Sequence, residues 1–152
     1  MTAEEFLQRY AAGERDFSGV DLRGVNLGNT ELHKINFRGA NLSEANFVCA
    51  VLTEANFSAA NLSQAALSGA ILTKVNFSEA NLSKANLADC ILDGANLSKS
   101  NLNKANLIEA SLVNVNLSEA ILDDALLGNP LLDDADLTGV DLSKADMDVF
   151  PY

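Results

Sequence analysis

Long hydrophobic runs are missing from this sequence. No stretch of about 18 apolar residues occurs, so no membrane-spanning helix is expected. The opening Met1-Thr2-Ala3-Glu4-Glu5-Phe6 carries acid where a secretory signal has a basic start and an apolar stretch, which points to a cytoplasmic protein. Basic residues are scarce too: Lys and Arg number 10 against 21 Asp and Glu, for a formal charge of −11. The imbalance is local. Residues 1–104 carry 11 acids and 9 bases, whereas residues 105–152 carry 10 acids and Lys144 alone. Direct nucleic-acid binding through a basic surface is not expected of such a chain. Histidine is nearly absent, His33 being the sole example. A nucleophile needs an adjacent, oriented base, and serines such as Ser43, Ser63 and Ser83 have none. No catalytic residue, cofactor or metal is therefore expected. Acids such as Asp133, Asp134, Asp136 and Asp141 fit neither EF-hand spacing nor the glycine-rich calcium nonapeptide.

What is present is a repeat. From Phe17 to Met147 every fifth residue is a large apolar one, 27 times in succession: 21 Leu, 5 Phe and 1 Met. Two positions earlier the residue is small; of the 26 such positions from Val20 to Ala145, 16 are Ala and 5 are Val. Asn or Asp lies between, and Ser or Thr commonly follows, as in Ala40-Asn41-Leu42-Ser43-Glu44. Small, polar, large is the period-2 pattern of a half-buried extended segment, and the two polar residues after it suit a turn. A helix cannot hold this pattern, because its faces recur every 3.6 residues. The chain is expected to wind into an all-β solenoid with the Ala and Leu columns inside.

A second period sets the size of a coil. Phe17, Phe37, Phe57 and Phe77 are 20 apart, as are Val51, Ile71 and Ile91, which replace Asn with an apolar group. Charges alternate at the same spacing in Lys34, Glu54, Lys74 and in Glu79, Lys99, Glu119. Stacked neighbours behave as cross-strand pairs, so a period of 20 implies four repeats per coil. With coils about 4.8 Å apart the rod is about 30 Å long. On this lattice Cys49 falls on an outward turn and Cys90 in the inward small column. They lie roughly 10 Å apart, beyond the Cα separation of about 7 Å that a disulfide spans.

The unit A-(N/D)-L-x-x resembles that of the pentapeptide-repeat proteins, from Phe17 nearly to the end of the chain. The segment Tyr10-Ala11-Ala12-Gly13-Glu14-Arg15-Asp16-Phe17 also resembles the entry of many cyanobacterial members. The resemblance implies a right-handed quadrilateral β-helix.

The ends need covering, since a solenoid leaves backbone and core open there. Thr2 followed by Glu5 forms a capping box, Phe6, Leu7, Tyr10 and Ala11 share a helical face, and Gly13 is a stop signal. Residues 1–13 are read as a short N-terminal capping helix, 14–149 as the repeat solenoid and 150–152 as a C-terminal tail of the same domain. Near the C-terminus Ile121, Leu126 and Leu131 are apolar at outward positions, and Phe150, Pro151 and Tyr152 continue the phase with residues that overfill or interrupt a coil. Either the tail folds over this end or a second copy packs against it, and the resemblance favours a homodimer through the C-terminal end.

Candidate interface residues are therefore Val51, Ile71, Ile91, Ile121, Leu126, Leu131, Phe150 and Tyr152. The stripe Val51–Ile71–Ile91 has two readings: β-branched residues stacking in extended positions, or a strip that binds a partner. Two functions follow. One is a non-enzymatic module presenting a rigid surface to an unidentified protein. The other comes from the resemblance: fluoroquinolone-resistance members look like B-form DNA and inhibit DNA gyrase, a type II topoisomerase. Acids confined to one end and the lysines Lys74, Lys84, Lys99 and Lys104 in the middle depart from that pattern.

Overall fold

The computed structural model describes residues 1–148. A single helix, α1 (Ala3–Ala11), precedes a solenoid that runs on to the last described residue. Among the described residues all 22 bridges between coils are parallel and join residues 20 apart, from Asp16↔Asn36 to Leu126↔Asp146. Each coil thus holds four repeats, forming four sides joined by two-residue turns. Each repeat contributes one bridging residue rather than a continuous strand, because its extended part is too short to pair further.

The repeat closes its own hydrogen bonding. In the unit Ala60–Gln64, the Asn61 N–H donates back one coil to the Ala40 carbonyl at 2.9 Å, while Leu62 and Gln64 donate forward to Asn81 and Ser83 at 2.7 and 2.9 Å. Ala60 donates across the preceding corner to Phe57 at 3.0 Å. The fifth N–H, that of Ser63, goes to Asn61 Oδ1 at 3.1 Å. The Asn column is therefore the side-chain acceptor that completes the backbone, as buried or half-buried peptide groups require.

Each corner has a further demand. The second turn residue adopts a left-handed conformation, at Lys34, Glu44, Cys49, Gln64, Lys74 and others among 19 non-glycine residues with positive φ. That costs roughly 1–2 kcal/mol for a residue with a side chain. It is offset at most corners by the hydrogen bond that residue donates to the next coil, as Gln64 does to Ser83. The glycines at 19, 24, 39, 69, 94 and 139 all occupy this position, and so carried the signal in the sequence.

Inside, every central residue from Phe17 to Leu127 is almost fully buried. The ring of Phe57 lies 5.3 Å from Phe37 and 5.1 Å from Phe77, stacked on both, with Phe47 edge-on at 5.9 Å. The helix lays Phe6 on the open end of this column, 4.6 Å from Phe17 and 5.6 Å from Phe37. Thr2 and Glu5 exchange the two bonds of a capping box. The Arg15 guanidinium sits 3.8 Å over the Tyr10 ring, and Arg9 pairs with Glu14.

One expectation about α1 is corrected. Its inward face is Ala3, Phe6 and Tyr10, whereas Leu7 and Ala11 are exposed. With Phe6 aimed at the column, Leu7 is turned about 100° away, the angle between successive residues of a helix. At the other end the central residues Leu132, Leu137, Leu142 and Met147 are only half-buried, and a 3-10 turn at Leu142–Lys144 interrupts the regular corner.

Candidate protein-interaction face

One side of the solenoid is built differently from the other three. Its bridging column runs Glu31, Val51, Ile71, Ile91, Ser111, Leu131, without a single Asn. Elsewhere Asn side chains form ladders: Asn56 Nδ2 donates to Asn36 Oδ1 at 3.1 Å, and Asn46 Nδ2 to Asn26 Oδ1 at 3.0 Å. On this side Val51 bridges Ile71, and Ile71 bridges Ile91. Ile71 has no oxygen to offer the Thr73 N–H, so the side gives up the turn acceptor that Asn supplies. Val51 and Ile71 are half-buried, Ile91 is 42% exposed and Leu131 59%. Ser111, between the last two, donates its hydroxyl to Asp93 Oδ1.

The corner leading into this side is also unusually apolar, with Val48, Ala88 and Ile108 where Ser is common. Their spacing, in multiples of 20 with Ser68 between the first two, was available in the sequence but gave no sign there. Ile108 leans over the next coil: a Cβ at Gly128 would lie 3.5 Å from its Cγ1.

The candidate residues do not form one patch. Val51, Ile71, Ile91 and Leu131 share the same column. Ile121 belongs to the opposite side, bridged to Asn101, and is 50% exposed; Leu126 belongs to the side between, half-buried against Asn106 and Asp146. Ile121, Leu126 and Leu131, expected as outward apolar positions near the C-terminal end, thus lie there on three different sides, because successive repeats occupy successive sides of a four-sided coil. Phe150 and Tyr152 lie outside the described residues. Of the alternating charge columns, Lys34 pairs with Glu54 at 3.9 Å, an exposed contact of little energy, whereas among the described residues Glu79, Lys99 and Glu119 form no ion pair.

Among the described residues His, Cys, Asp and Glu side chains form no converging group of three or more. Cys90 is buried, donates its thiol to the Leu67 carbonyl at 2.9 Å, and is pushed up to about 12 by that burial. Cys49 is exposed. Among the described residues no helix is long and apolar enough to cross a membrane.

Pentapeptide repeats match the chain in 8 copies, over residues 16–52, 50–89, 90–129 and 120–148. The chain belongs to the pentapeptide repeat family. A pentapeptide repeat protein of the Arabidopsis thaliana thylakoid lumen is 32% identical, with a TM-score of 0.52 over 70% of this chain and 68% of its own. HetL of the cyanobacterium Nostoc, a pentapeptide repeat protein involved in heterocyst differentiation regulation, is 27% identical over 96% of this chain and 94% of its own, at a TM-score of 0.36. A trypsin-treated form of QnrB1, a plasmid-mediated fluoroquinolone resistance protein, is 22% identical over 90% of this chain and 83% of its own, with a TM-score of 0.51. At that identity the likeness to QnrB1 shows the shared fold alone. No curated protein matches the sequence.

Proposed function

We propose that this pentapeptide repeat protein is a non-enzymatic interaction module: a right-handed quadrilateral β-helix whose one Asn-free side docks a protein partner. The observation that carries this reading is the substitution along a single column. Asn at Val51, Ile71 and Ile91 would complete the corner hydrogen bonds as it does elsewhere. The chain has apolar groups there instead, two of them half-buried and one exposed. An apolar strip at a position where the fold itself favours a polar residue supports a role in contact.

The topoisomerase reading rests on family likeness and on the charge of −11. It is disfavoured by where the charge lies. Mimicry of DNA along a cationic saddle needs acid along the rod, whereas the middle coils carry Lys74, Lys84, Lys99 and Lys104. Capture of partners by the wild type, by Ile71→Lys and by Ile121→Lys on the opposite side tests the proposal. A partner lost with the first substitution and kept with the second is the expected result. Inhibition of gyrase supercoiling at micromolar protein that fades with salt and survives Ile71→Lys would establish the DNA mimic in its place.

A further inference from the structure

Charge is distributed around the rod as unevenly as the apolar groups are. From the fourth coil onward the basic residues are Lys84, Lys99, Lys104 and Lys144. By their register these occupy the two corners that bound the opposite side, the one bridged through Asn81, Asn101 and Ile121. The two corners bounding the apolar side carry Asp89, Asp93, Glu109, Asp133 and Asp134 over the same coils and no base at all. Asp89, Glu109 and Asp134 each hold the left-handed corner conformation that points a side chain outward. Ile91 and Leu131 thus lie on a side, with Ile108 at its corner, that is edged by acid on both flanks from the fourth coil onward; one coil earlier the corner carries Lys74, packed against Gly94.

We propose that the occupant of this side is a basic amphipathic helix of another protein, its apolar stripe on Ile91 and Leu131 and its Lys or Arg residues against the acidic corners. This rests on the interaction-module reading above and names the partner's chemistry. A helix fits better than a strand because the backbone here is already spent. Ile91 N–H donates to Ala70, Leu72 N–H to Ile91 and Leu92 N–H to Ser111, at 3.1, 2.8 and 2.9 Å, so contact must run through side chains. Successive turns of a helix are about 5.4 Å apart, close to the coil spacing of about 4.8 Å, so each turn meets one coil. From Ile91 to Leu131, the acid-edged stretch, is two coil steps, about 10 Å, or about two helical turns. A second copy of this chain is a poor occupant. Face to face it sets acid against acid, and its opposite side is an Asn ladder with Ile121 as its one exposed apolar group, at corners where Lys99, Lys104 and Lys144 are mixed with Glu119, Asp123 and Asp124.

The test uses three fluorescent helical peptides of about 18 residues: leucines at i, i+3, i+4 and i+7 flanked by Lys, the same leucines flanked by Glu, and the Lys peptide with its leucines changed to Ser. Ile91→Asn is the variant, since Asn suits this column and keeps the corner. The Lys–Leu peptide is expected to bind the wild type in anisotropy titrations, to weaken with added salt, and to bind Ile91→Asn at least about tenfold more weakly, as removal of one buried aliphatic side chain implies. Amide shifts on binding are expected at residues 88–94, 108–114 and 131–134. Equal binding of the Glu-flanked peptide, lost in Ile91→Asn, would overturn the basic-helix proposal while leaving the interaction module standing. Binding of no peptide, binding indifferent to Ile91, shifts on the lysine corners, or particle growth of the protein alone in light scattering would each overturn the proposal. Indifference to Ile91 would take the apolar-side reading with it.

Discussion

Phe37 and Phe57 stack in the interior with ring centroids 5.3 Å apart and an angle of 28° between their planes, one coil above the other. Phe57→Ala removes the ring held between Phe37 and Phe77 and leaves a void that stacked coils close poorly. A loss of about 3–5 kcal/mol in chemical denaturation is expected. Asn56→Ala, next in sequence but outside, removes the acceptor of the Ser58 N–H and the donor to Asn36. Its loss should be nearer 1 kcal/mol. Equal losses would refute the division into inner and outer columns.

Ile71→Asn separates stability from contact. The new amide can accept from the Thr73 N–H and join the regular corner, replacing β-branched stacking with a hydrogen bond of about 1 kcal/mol. The denaturation midpoint should hold or rise while partner capture falls. A variant that unfolds much earlier would show that the column is apolar for the sake of the fold.

The helix cap is tested by Phe6→Ala against Leu7→Ala. Phe6 is fully buried on Phe17 and Phe37, and Leu7 is exposed. The first change should destabilise the protein and promote end-to-end association in light scattering; the second should do neither.

The two thiols should differ sharply. Cys49 is exposed and should react with a thiol reagent in the native state, whereas Cys90 is buried and its thiol pushed up to about 12. One equivalent reacting at once and a second only on unfolding is the expected pattern.

Acid dependence follows from Asp136 and Asp141. The Thr138 hydroxyl and N–H hold the Asp136 carboxyl below the usual range, and the Ser143 hydroxyl and N–H do the same for Asp141. The charged forms are favoured by folding, so this contribution is complete above the ordinary carboxylate pKa, about 3.9, and is lost as pH falls through the lowered values. Both groups are exposed, so the effect is small. The double variant Asp136→Asn, Asp141→Asn should lose less stability than the wild type between about pH 4 and pH 2, read from urea midpoints.

Much of this architecture was legible because one residue in five is large and apolar and the exceptions recur at 20. The columns of Leu, Phe and Ala, the capping box and the separate fates of Cys49 and Cys90 follow from that lattice. What escaped was whatever depends on which side a repeat occupies. Ile121, Leu126 and Leu131 are neighbours in sequence but lie on three sides of a coil, whereas Leu131 belongs with Ile91, 40 residues earlier. Val48, Ala88 and Ile108 were hidden because a turn residue tolerates almost any side chain. The left-handed corners were hidden for the opposite reason: six glycines marked the position, but Lys, Glu and Gln fill it more often.

The constant separation of 20 between bridged residues bears on how such a chain changes over generations. Each coil is recognised only by the coils beside it, so closing one more costs the same entropy wherever it is added. Duplication or loss of a 20-residue block returns every inward residue to an inward place and every corner to a corner. A single inserted residue does the reverse and turns the following repeats inside out. The gene can therefore lengthen or shorten the rod in whole coils, setting how many rungs a docking side presents, with no need to redesign the interior.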